Sequence, residues 1–311
     1  MTENCGSYSG NISRRSFTLV ELLVAIGIIL ILTGLLIPAI HVAKKKSKGT
    51  LCMANMKQIA AGFTMYADDY AGCMVAGRMP GGVFDVGNGM KFRPRWYAQI
   101  GVSGKFYAFA SPDPLAAGDN TQRIDNKIFI CPQEDPDTML LRDNGRNYSY
   151  GYNHQFLGNS RLNSTTGKYI RWPRKLPSIK NLADTVMFAD CMGTAAGKAS
   201  SARQPYDAVL QSGTANGDSK IGNHAWALDP PRLVAGSSDY CNDSSRVPAS
   251  RSAPYAVHSK FANIAFLDGH VNALGLQELG YSIRDNGAVD VNGTNRMFSG
   301  TGNDDTPPPI N

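Results

Sequence analysis

Residues 17–40 read FTLVELLVAIGIILILTGLLIPAI and carry one charged side chain, that of Glu21. A helix of about 20 apolar residues is long enough to cross a hydrocarbon core roughly 30 Å thick. A helix of this length in a soluble core would show a polar face, and this segment shows almost none. The stretch therefore predicts a membrane-spanning helix.

A cleaved secretory signal peptide is the main alternative for this segment. Such a peptide has an apolar stretch of roughly 7–15 residues followed by a cleavage site with small residues. Here the apolar run is longer, and Pro38 and then a group of lysines follow it. A basic pair, Arg14 and Arg15, instead stands before the Ser16–Phe17 junction where the run begins.

Glu21 is the unusual residue of the segment. A carboxylate inside a membrane helix costs a few kcal/mol, and such residues are usually functional and paired. Cleavage between Ser16 and Phe17 would give Phe17 a free α-amine, which is largely cationic at neutral pH. Pairing between this amine and Glu21 of a neighbouring subunit would neutralise both charges. The alternative is that Glu21 reaches the near membrane interface by itself.

Residues 14–40, RRSFTLVELLVAIGIILILTGLLIPAI, strongly resemble the processing segment of type IV pilins and type II secretion pseudopilins. The resemblance implies that a prepilin peptidase cuts between Ser16 and Phe17 and methylates the new amine of Phe17. It also implies that Glu21 guides assembly and that Pro38 kinks the helix. Ser16 departs from the pattern, since the family usually has glycine there. The implied partners are the peptidase, other pilin or pseudopilin subunits, the inner-membrane platform of a secretion or pilus machine, and the membrane.

The resemblance also implies an orientation. The leader, residues 1–16, would remain in the cytoplasm, and the domain after the span would lie outside the inner membrane. The flanking charges alone favour the opposite, because Arg14 and Arg15 precede the span and four lysines between positions 44 and 48 follow it. We follow the resemblance, because a leader of this kind makes sense only for an exported domain.

Residues 41–70 are predicted to continue the helix in amphipathic form. Apolar residues recur at alternating steps of four and three, which places them on one helical face: Cys52, Met56, Ile59, Phe63, Tyr66 and Tyr70. Gly72 is the predicted stop. This stripe needs a sheet to pack on, so it is interpreted as core.

The remaining sequence predicts a β-rich head over residues 71–300 and a disordered tail over 301–311. Short β-branched and aromatic runs indicate strands at 127–131, 148–152, 186–191 and 263–267. Polar stretches at 197–222 and 236–253 indicate surface loops. The predicted fold is therefore α+β and pilin-like, a long N-terminal helix packed on an antiparallel β-sheet head with long loops.

The segment NIAFLDGHVNAL predicts a β-hairpin. Asp268 and Gly269 separate two alternating runs, which favours a type I′ turn. In that register four apolar side chains share one face: Ile264, Phe266, Val271 and Ala273.

His258 stands before this hairpin, with nine residues between it and Asp268–Gly269. This spacing resembles the H-x9-DG segment of a large bacterial subfamily of pilin-like proteins. Three other stretches extend the resemblance: LCMANMKQIAAGFTMYADDY from residue 51, Ile130-Cys131-Pro132, and YSYGYN from residue 148. A hydrolase using His258, Asp268 and Ser259 is one interpretation. The favoured interpretation is structural, with His258 bracing the hairpin and Asp268 serving the turn, so no enzyme is predicted.

The chain has six cysteines, none in a C-x-x-C pair and none at zinc-ligand spacing to a histidine. Cys5 would leave with the leader. Cys52 on the helix face and Cys131 at the end of a predicted strand would be adjacent, so they either form a disulfide or remain two buried thiols.

The sequence predicts no metal site and no cofactor, and calcium at 285–293 is a minor alternative, because oxygen ligands recur there without EF-hand spacing. The formal charge of +6 is spread out, which argues against a nucleic-acid partner. Besides a filament subunit, the sequence leaves open a membrane-tethered binding module for polysaccharide or protein, with Trp96, Trp172 and Trp226 as stacking candidates.

Overall fold

The computed structural model describes residues 18–79, 82–114, 122, 124–134, 148–158, 173–204, 219–232 and 251–307. The chain divides into two compact units, residues 1–46 and 47–311. Several sequence predictions lie outside the described residues: the leader with Cys5, the Ser16–Phe17 junction, Trp172, Cys241, and most of the loops at 197–222 and 236–253.

Helix α1 runs from Leu19 to Asp69. In the first unit its large apolar side chains, from Leu19 to Val42, are all exposed within the chain. By length and composition the helix can cross a membrane. It continues without a break through Pro38, which lacks the N–H that would bond the carbonyl of Gly34. The apolar surface of this segment thus has no partner among the described residues of its own chain.

In the second unit, one face of α1 is buried, and it is largely the face the sequence predicts. Cys52, Met56, Ile59 and Phe63 are buried, whereas Tyr66 is half-buried and Tyr70 is exposed. The helix ends as expected near Gly72, whose N–H donates to the carbonyl of Ala67 at 2.7 Å. Ala71 and Gly72 both have positive φ, the backbone form that closes many helices.

The sheet beside this helix is antiparallel. Strands β3 (Tyr150–Tyr152), β4 (Val186–Gly193), β6 (Ala262–Phe266) and β7 (Val271–Leu274) lie in that order, and β5 (Ala253–Pro254) pairs with β4. Every residue of β3, β4 and β6 is buried, so both faces of the sheet centre are covered. This arrangement confirms the predicted α+β pilin-like fold class and three of the four predicted strands.

The core between helix and sheet is aromatic. The ring of Phe63 on α1 lies 5.0 Å from that of Tyr152, 5.4 Å from that of Trp96 and 5.6 Å from that of Phe188. Trp96 begins the short helix α2 (Trp96–Gly104), which follows a two-stranded sheet of β1 (Val83–Asp85) and β2 (Met90–Phe92). None of these three elements, β1, β2 and α2, was predicted from the sequence.

The β6–β7 hairpin forms where predicted, but its turn differs. Gly269 has positive φ and Asp268 does not, and the N–H of Gly269 donates to Phe266. This is a three-residue loop closed by a glycine bulge, not a type I′ turn. The register therefore slips by one residue and pairs Ala265 with Val271. Because a slip of one residue changes the face, Val271 does not share a face with Ile264 and Phe266 as predicted.

Two further predictions differ from the structure. The predicted strand at 127–131 is instead a 3-10 turn over Lys127–Phe129, because the side chain of Asn126 accepts from Ile128 N at 3.1 Å and caps the turn. The predicted disordered tail is ordered for its first residues. Asp304 accepts from Asn295 N at 2.7 Å and pairs with Arg232 at 3.1 Å. Residues 308–311 lie outside the described part of the chain.

Candidate functional site

Glu21 caps the start of α1. Its Oε2 accepts from the backbone N–H of Thr18 at 2.9 Å and from the Thr18 hydroxyl at 2.8 Å. In return, Glu21 N donates to the Thr18 hydroxyl at 3.3 Å. Thr18 and Glu21 thus form a reciprocal capping box, which satisfies two backbone donors at a helix start. This motif was not predicted from the sequence, although T-x-x-E before an apolar run is its usual signature.

The capping box places the carboxylate beside the predicted cleavage point. Thr18 would be the second residue of a chain that begins at Phe17, so Glu21 contacts the backbone next to the position where cleavage would create an amine. The junction itself, Ser16–Phe17, lies outside the described residues. Pro38, the other predicted assembly residue, lies within the exposed apolar part of α1.

Residues 12–37 match the family model of the prokaryotic N-terminal methylation motif. This segment is type IV pilin-like. The motif implies processing by a prepilin peptidase and assembly with other pilin subunits, and the exposed apolar helix agrees with a membrane anchor. The match covers less than a tenth of the 311 residues. No curated protein and no solved structure matches the pilin-like chain.

A second cluster lies in the head, where four side chains with metal-binding atoms meet. They are Cys52 on α1, Cys131 after the 3-10 turn, Asp190 on β4 and His258 before β6, and their ligand atoms lie within 4.8 Å of one another. Cys52 Sγ lies 3.2 Å from Asp190 Oδ1, and Cys131 Sγ lies 3.3 Å from His258 Nε2. His258 Nε2 lies 3.2 Å from Asp190 Oδ2. We call these four residues the Cys–His–Asp cluster.

The backbone around the cluster fixes its members. Asp190 Oδ2 accepts from Asn263 N at 2.8 Å, which fixes the carboxylate against β6. Gly49 on α1 leaves room for the imidazole, because a Cβ there would lie 3.3 Å from His258 Nδ1. The side-chain amide of Asn263 (Nδ2) donates to the backbone carbonyl of Gly49 at 3.5 Å. Helix, sheet and cluster are therefore connected through one set of contacts.

Burial and the contacts within the cluster shift the pKa values of His258, Cys52 and Cys131. Burial lowers the pKa of His258, but its hydrogen bonds to Asp190 and Cys52 outweigh this and raise that pKa to about 10. Burial raises the pKa of Cys52, but hydrogen bonds from Cys131 and His258 outweigh this and leave that pKa lowered. The pKa of Cys131 is raised by its hydrogen bond to Cys52 and by burial. The thiol of Cys52 donates to Asp190 Oδ1 at 3.2 Å.

The structure brings Cys52 and Cys131 together, as the sequence predicts, and both are free buried thiols. Along the sequence no cysteine stands at zinc-ligand spacing to a histidine. The fold nevertheless brings together four ligands, two cysteines, one aspartate and one histidine, from four distant segments. Asp190 is the member that sequence reasoning missed. Its signal was available, since it is the one acidic residue within the apolar strand VMFADCMG.

His258 and Asp268 do not form the pair considered in the sequence analysis. His258 contacts Asp190, whereas Asp268 Oδ1 lies 2.6 Å from His270 Nδ1 on the hairpin loop. The type I′ turn predicted at 268–269 is found instead directly after His258. There Ser259 and Lys260 both have positive φ, and the backbones of His258 and Phe261 bond each other in both directions.

The remaining candidate residues are occupied in other ways. Trp96 and Trp226 are 1% and 2% exposed, so neither offers a face for ligand stacking. In the 285–293 segment, Asp290 Oδ1 accepts from Arg284 at 2.9 Å and from Val291 N at 2.8 Å. Asn286 Oδ1 accepts from Ala288 N at 3.0 Å. These oxygens serve as turn acceptors.

Proposed function

We propose that this protein is a prepilin-like structural subunit. A prepilin peptidase would cut between Ser16 and Phe17 and methylate Phe17, and the mature chain would assemble into a type IV pilus or a type II secretion pseudopilus-like filament. Before assembly the chain would be held in the inner membrane, with the leader cytoplasmic and the head outside. The match of residues 12–37 to the methylation motif carries this proposal.

The exposed half of α1 supports assembly. Its leucine, isoleucine and valine side chains are exposed on all sides from Leu19 to Val42, and such a surface requires lipid or other helices around it. A filament core of parallel α1 helices would provide that cover after the subunit leaves the membrane.

Glu21 would change partners during assembly. In the isolated subunit its carboxylate is satisfied by Thr18 of the same chain. In the filament the carboxylate would accept from the methylated amine of a neighbouring Phe17. Charge pairing in a low-dielectric core is much stronger than in water, so the exchange would favour the assembled state.

The first test is mass spectrometry of the N-terminal peptide of the protein isolated from its native membrane. The proposal expects a peptide that begins at Phe17 and carries one added methyl group. A mature chain that begins at Met1, or beyond the lysines at 44–48, would refute it.

The second test separates the charge of Glu21 from its capping role. Glu21→Gln keeps an oxygen acceptor for Thr18, since glutamine also serves in capping boxes, but it removes the charge. Glu21→Val removes both. If intersubunit charge pairing drives assembly, both variants insert into the membrane and neither enters filaments. Filaments of Glu21→Gln at the wild-type level would show that the cap alone matters.

We propose no enzymatic role for the head. His258 and Asp268, the pair on which a hydrolase would depend, each have a different partner. The hydrolase alternative requires His258→Ala to abolish a hydrolytic turnover while the head stays folded, and we expect no such activity to be found.

A further inference from the structure

We infer that the Cys–His–Asp cluster is a structural binding site for a thiophilic divalent metal ion, with Zn²⁺ as the ion that fits best. This inference goes beyond the proposed function and does not depend on it. The cluster lies wholly within residues 47–311, so its outcome is separate from that of processing at Phe17.

The ligand set has the chemistry of a structural zinc site. Two cysteines, one histidine nitrogen and one carboxylate oxygen supply four donors, the number that structural zinc takes. A tetrahedron with metal–ligand bonds of about 2.0–2.3 Å has edges of about 3.3–3.8 Å. Two separations between donor atoms are 3.2 Å, from Cys52 Sγ to Asp190 Oδ1, and 3.3 Å, from Cys131 Sγ to His258 Nε2. All four donors lie within 4.8 Å of one another. The two short edges are therefore within a few tenths of an ångström of tetrahedral spacing, and one ion can reach all four donors after small side-chain shifts.

The donors are held in place by packed structure. Cys52 and Cys131 are 0% and 1% exposed, and Asp190 is 1% exposed. The Asn263 N–H holds the second carboxylate oxygen of Asp190, the kind of outer hydrogen bond that orients metal ligands. The ligands come from one helix, one strand and two connecting segments, so one ion would tie four parts of the head together.

Charge also favours an ion. Buried charged groups are costly unless they are paired or bind a metal ion, and Cys52, Cys131 and Asp190 are all almost fully buried. A divalent cation would offset both thiolates, and the imidazole would bind it in its neutral form.

Three of the four ligands come from sequence stretches that are far from one another along the chain. Cys52 lies in LCMANMKQIAAGFTMYADDY, Cys131 in Ile130-Cys131-Pro132, and His258 begins the H-x9-DG segment. The fold brings these three stretches to one point. One metal ion at this point would hold all three stretches together.

The main competitor is a disulfide between Cys52 and Cys131. An exported head would enter an oxidising compartment, where disulfides form and persist. A disulfide would remove both thiolate ligands, so the disulfide form and the metal-bound form exclude each other. Mass spectrometry distinguishes the disulfide from two free thiols.

The test is the metal content of the full-length protein, purified in detergent without chelators and measured by inductively coupled plasma mass spectrometry. We expect about one zinc per chain. Cys52→Ser and Cys131→Ser should each lose it. Cys73→Ser is the matched control, because Cys73 is half-buried and lies outside the cluster, and it should keep the zinc.

A near-isosteric variant guards against misfolding of the cysteine variants. Asp190→Asn keeps the side-chain volume but removes the charge. It should weaken Zn²⁺ binding at least tenfold, since loss of an outer partner alone typically costs about 10–100-fold. Co²⁺ added to the stripped wild type should give the near-ultraviolet absorption of a cobalt–thiolate bond, and Cys73→Ser should give the same spectrum.

Three results would overturn the inference. One is a wild-type protein that holds no zinc and takes up neither Zn²⁺ nor Co²⁺ after reduction. Another is equal zinc in the wild type and in the Cys52→Ser and Cys131→Ser variants. The third is a Cys52–Cys131 disulfide in the protein isolated from its native membrane.

Discussion

Phe63→Ala tests whether the second half of α1 belongs to the core of the head. Phe63 is 2% exposed, and its ring packs on those of Trp96, Tyr152 and Phe188 at 5.0–5.6 Å. Truncating a buried phenylalanine to alanine costs about 3–5 kcal/mol. Three aromatic partners lie around this ring, so we expect the upper part of that range. Domains of roughly this size lose about 2–4 °C in Tm per kcal/mol, so a loss of about 4–5 kcal/mol corresponds to a fall in Tm of about 8–20 °C.

The matched control is Met65→Ala on the same helix. Met65 is 48% exposed, and exposed substitutions usually change stability by no more than about 0.5 kcal/mol. Both variants are heated as full-length protein in detergent, and unfolding is followed by near-ultraviolet circular dichroism, which reports on the aromatic core. Equal Tm values for Phe63→Ala and Met65→Ala would refute the packing of α1 on the sheet.

Three further perturbations test the head. The double variant Ser259→Asn, Lys260→Gly should raise the free energy of unfolding in urea by about 1–2 kcal/mol. Ser259 and Lys260 both have a left-handed backbone in the wild type, and asparagine and glycine adopt it at lower cost. A lower free energy of unfolding would contradict the observed turn. Gly193→Ala should destabilise by about 3 kcal/mol or more, because Gly193 has positive φ and a Cβ there would collide with the backbone carbonyl oxygen of Asn223. Wild-type stability of this variant in urea unfolding would contradict this packing. Cys52→Ser should speed amide hydrogen exchange, measured by mass spectrometry, more in residues 49–56 than in residues 59–67. An equal change in both segments would contradict a local role of Cys52 in holding this end of the helix to the head.

The long helix and its two kinds of surface could be predicted from sequence because each rests on a local pattern. An unbroken apolar run specifies the exposed half, and the steps from Cys52 to Phe63 specify the buried face. Strand β4 was equally visible as a short run of apolar and aromatic residues. These predictions are correct because the tertiary packing favours the same secondary structure that the local sequence favours.

The parts that were missed depend on a choice between nearly equal local alternatives. Asp268–Gly269 suits both a two-residue and a three-residue loop, and the structure adopts the longer one, which shifts the register. The apolar run at 127–131 could form a strand or a turn. A single hydrogen bond to the Asn126 side chain stabilises the 3-10 turn. Asp190 could be read as a strand residue, but its partners are set by three other segments.

The position of the Cys–His–Asp cluster along α1 connects it to the proposed function. Cys52 is the first buried side chain of the helix, and every buried residue of α1 lies between it and Ala67. If the chain is a filament subunit as proposed, tension along α1 would enter the head at residues 49–52, where the helix first contacts Asn263 and the cluster. Apolar packing is non-directional and yields by sliding, whereas bonds from one ion to helix, strand and two connecting segments resist that displacement. A metal ion would therefore be most useful at this end of the buried face, where the cluster is found.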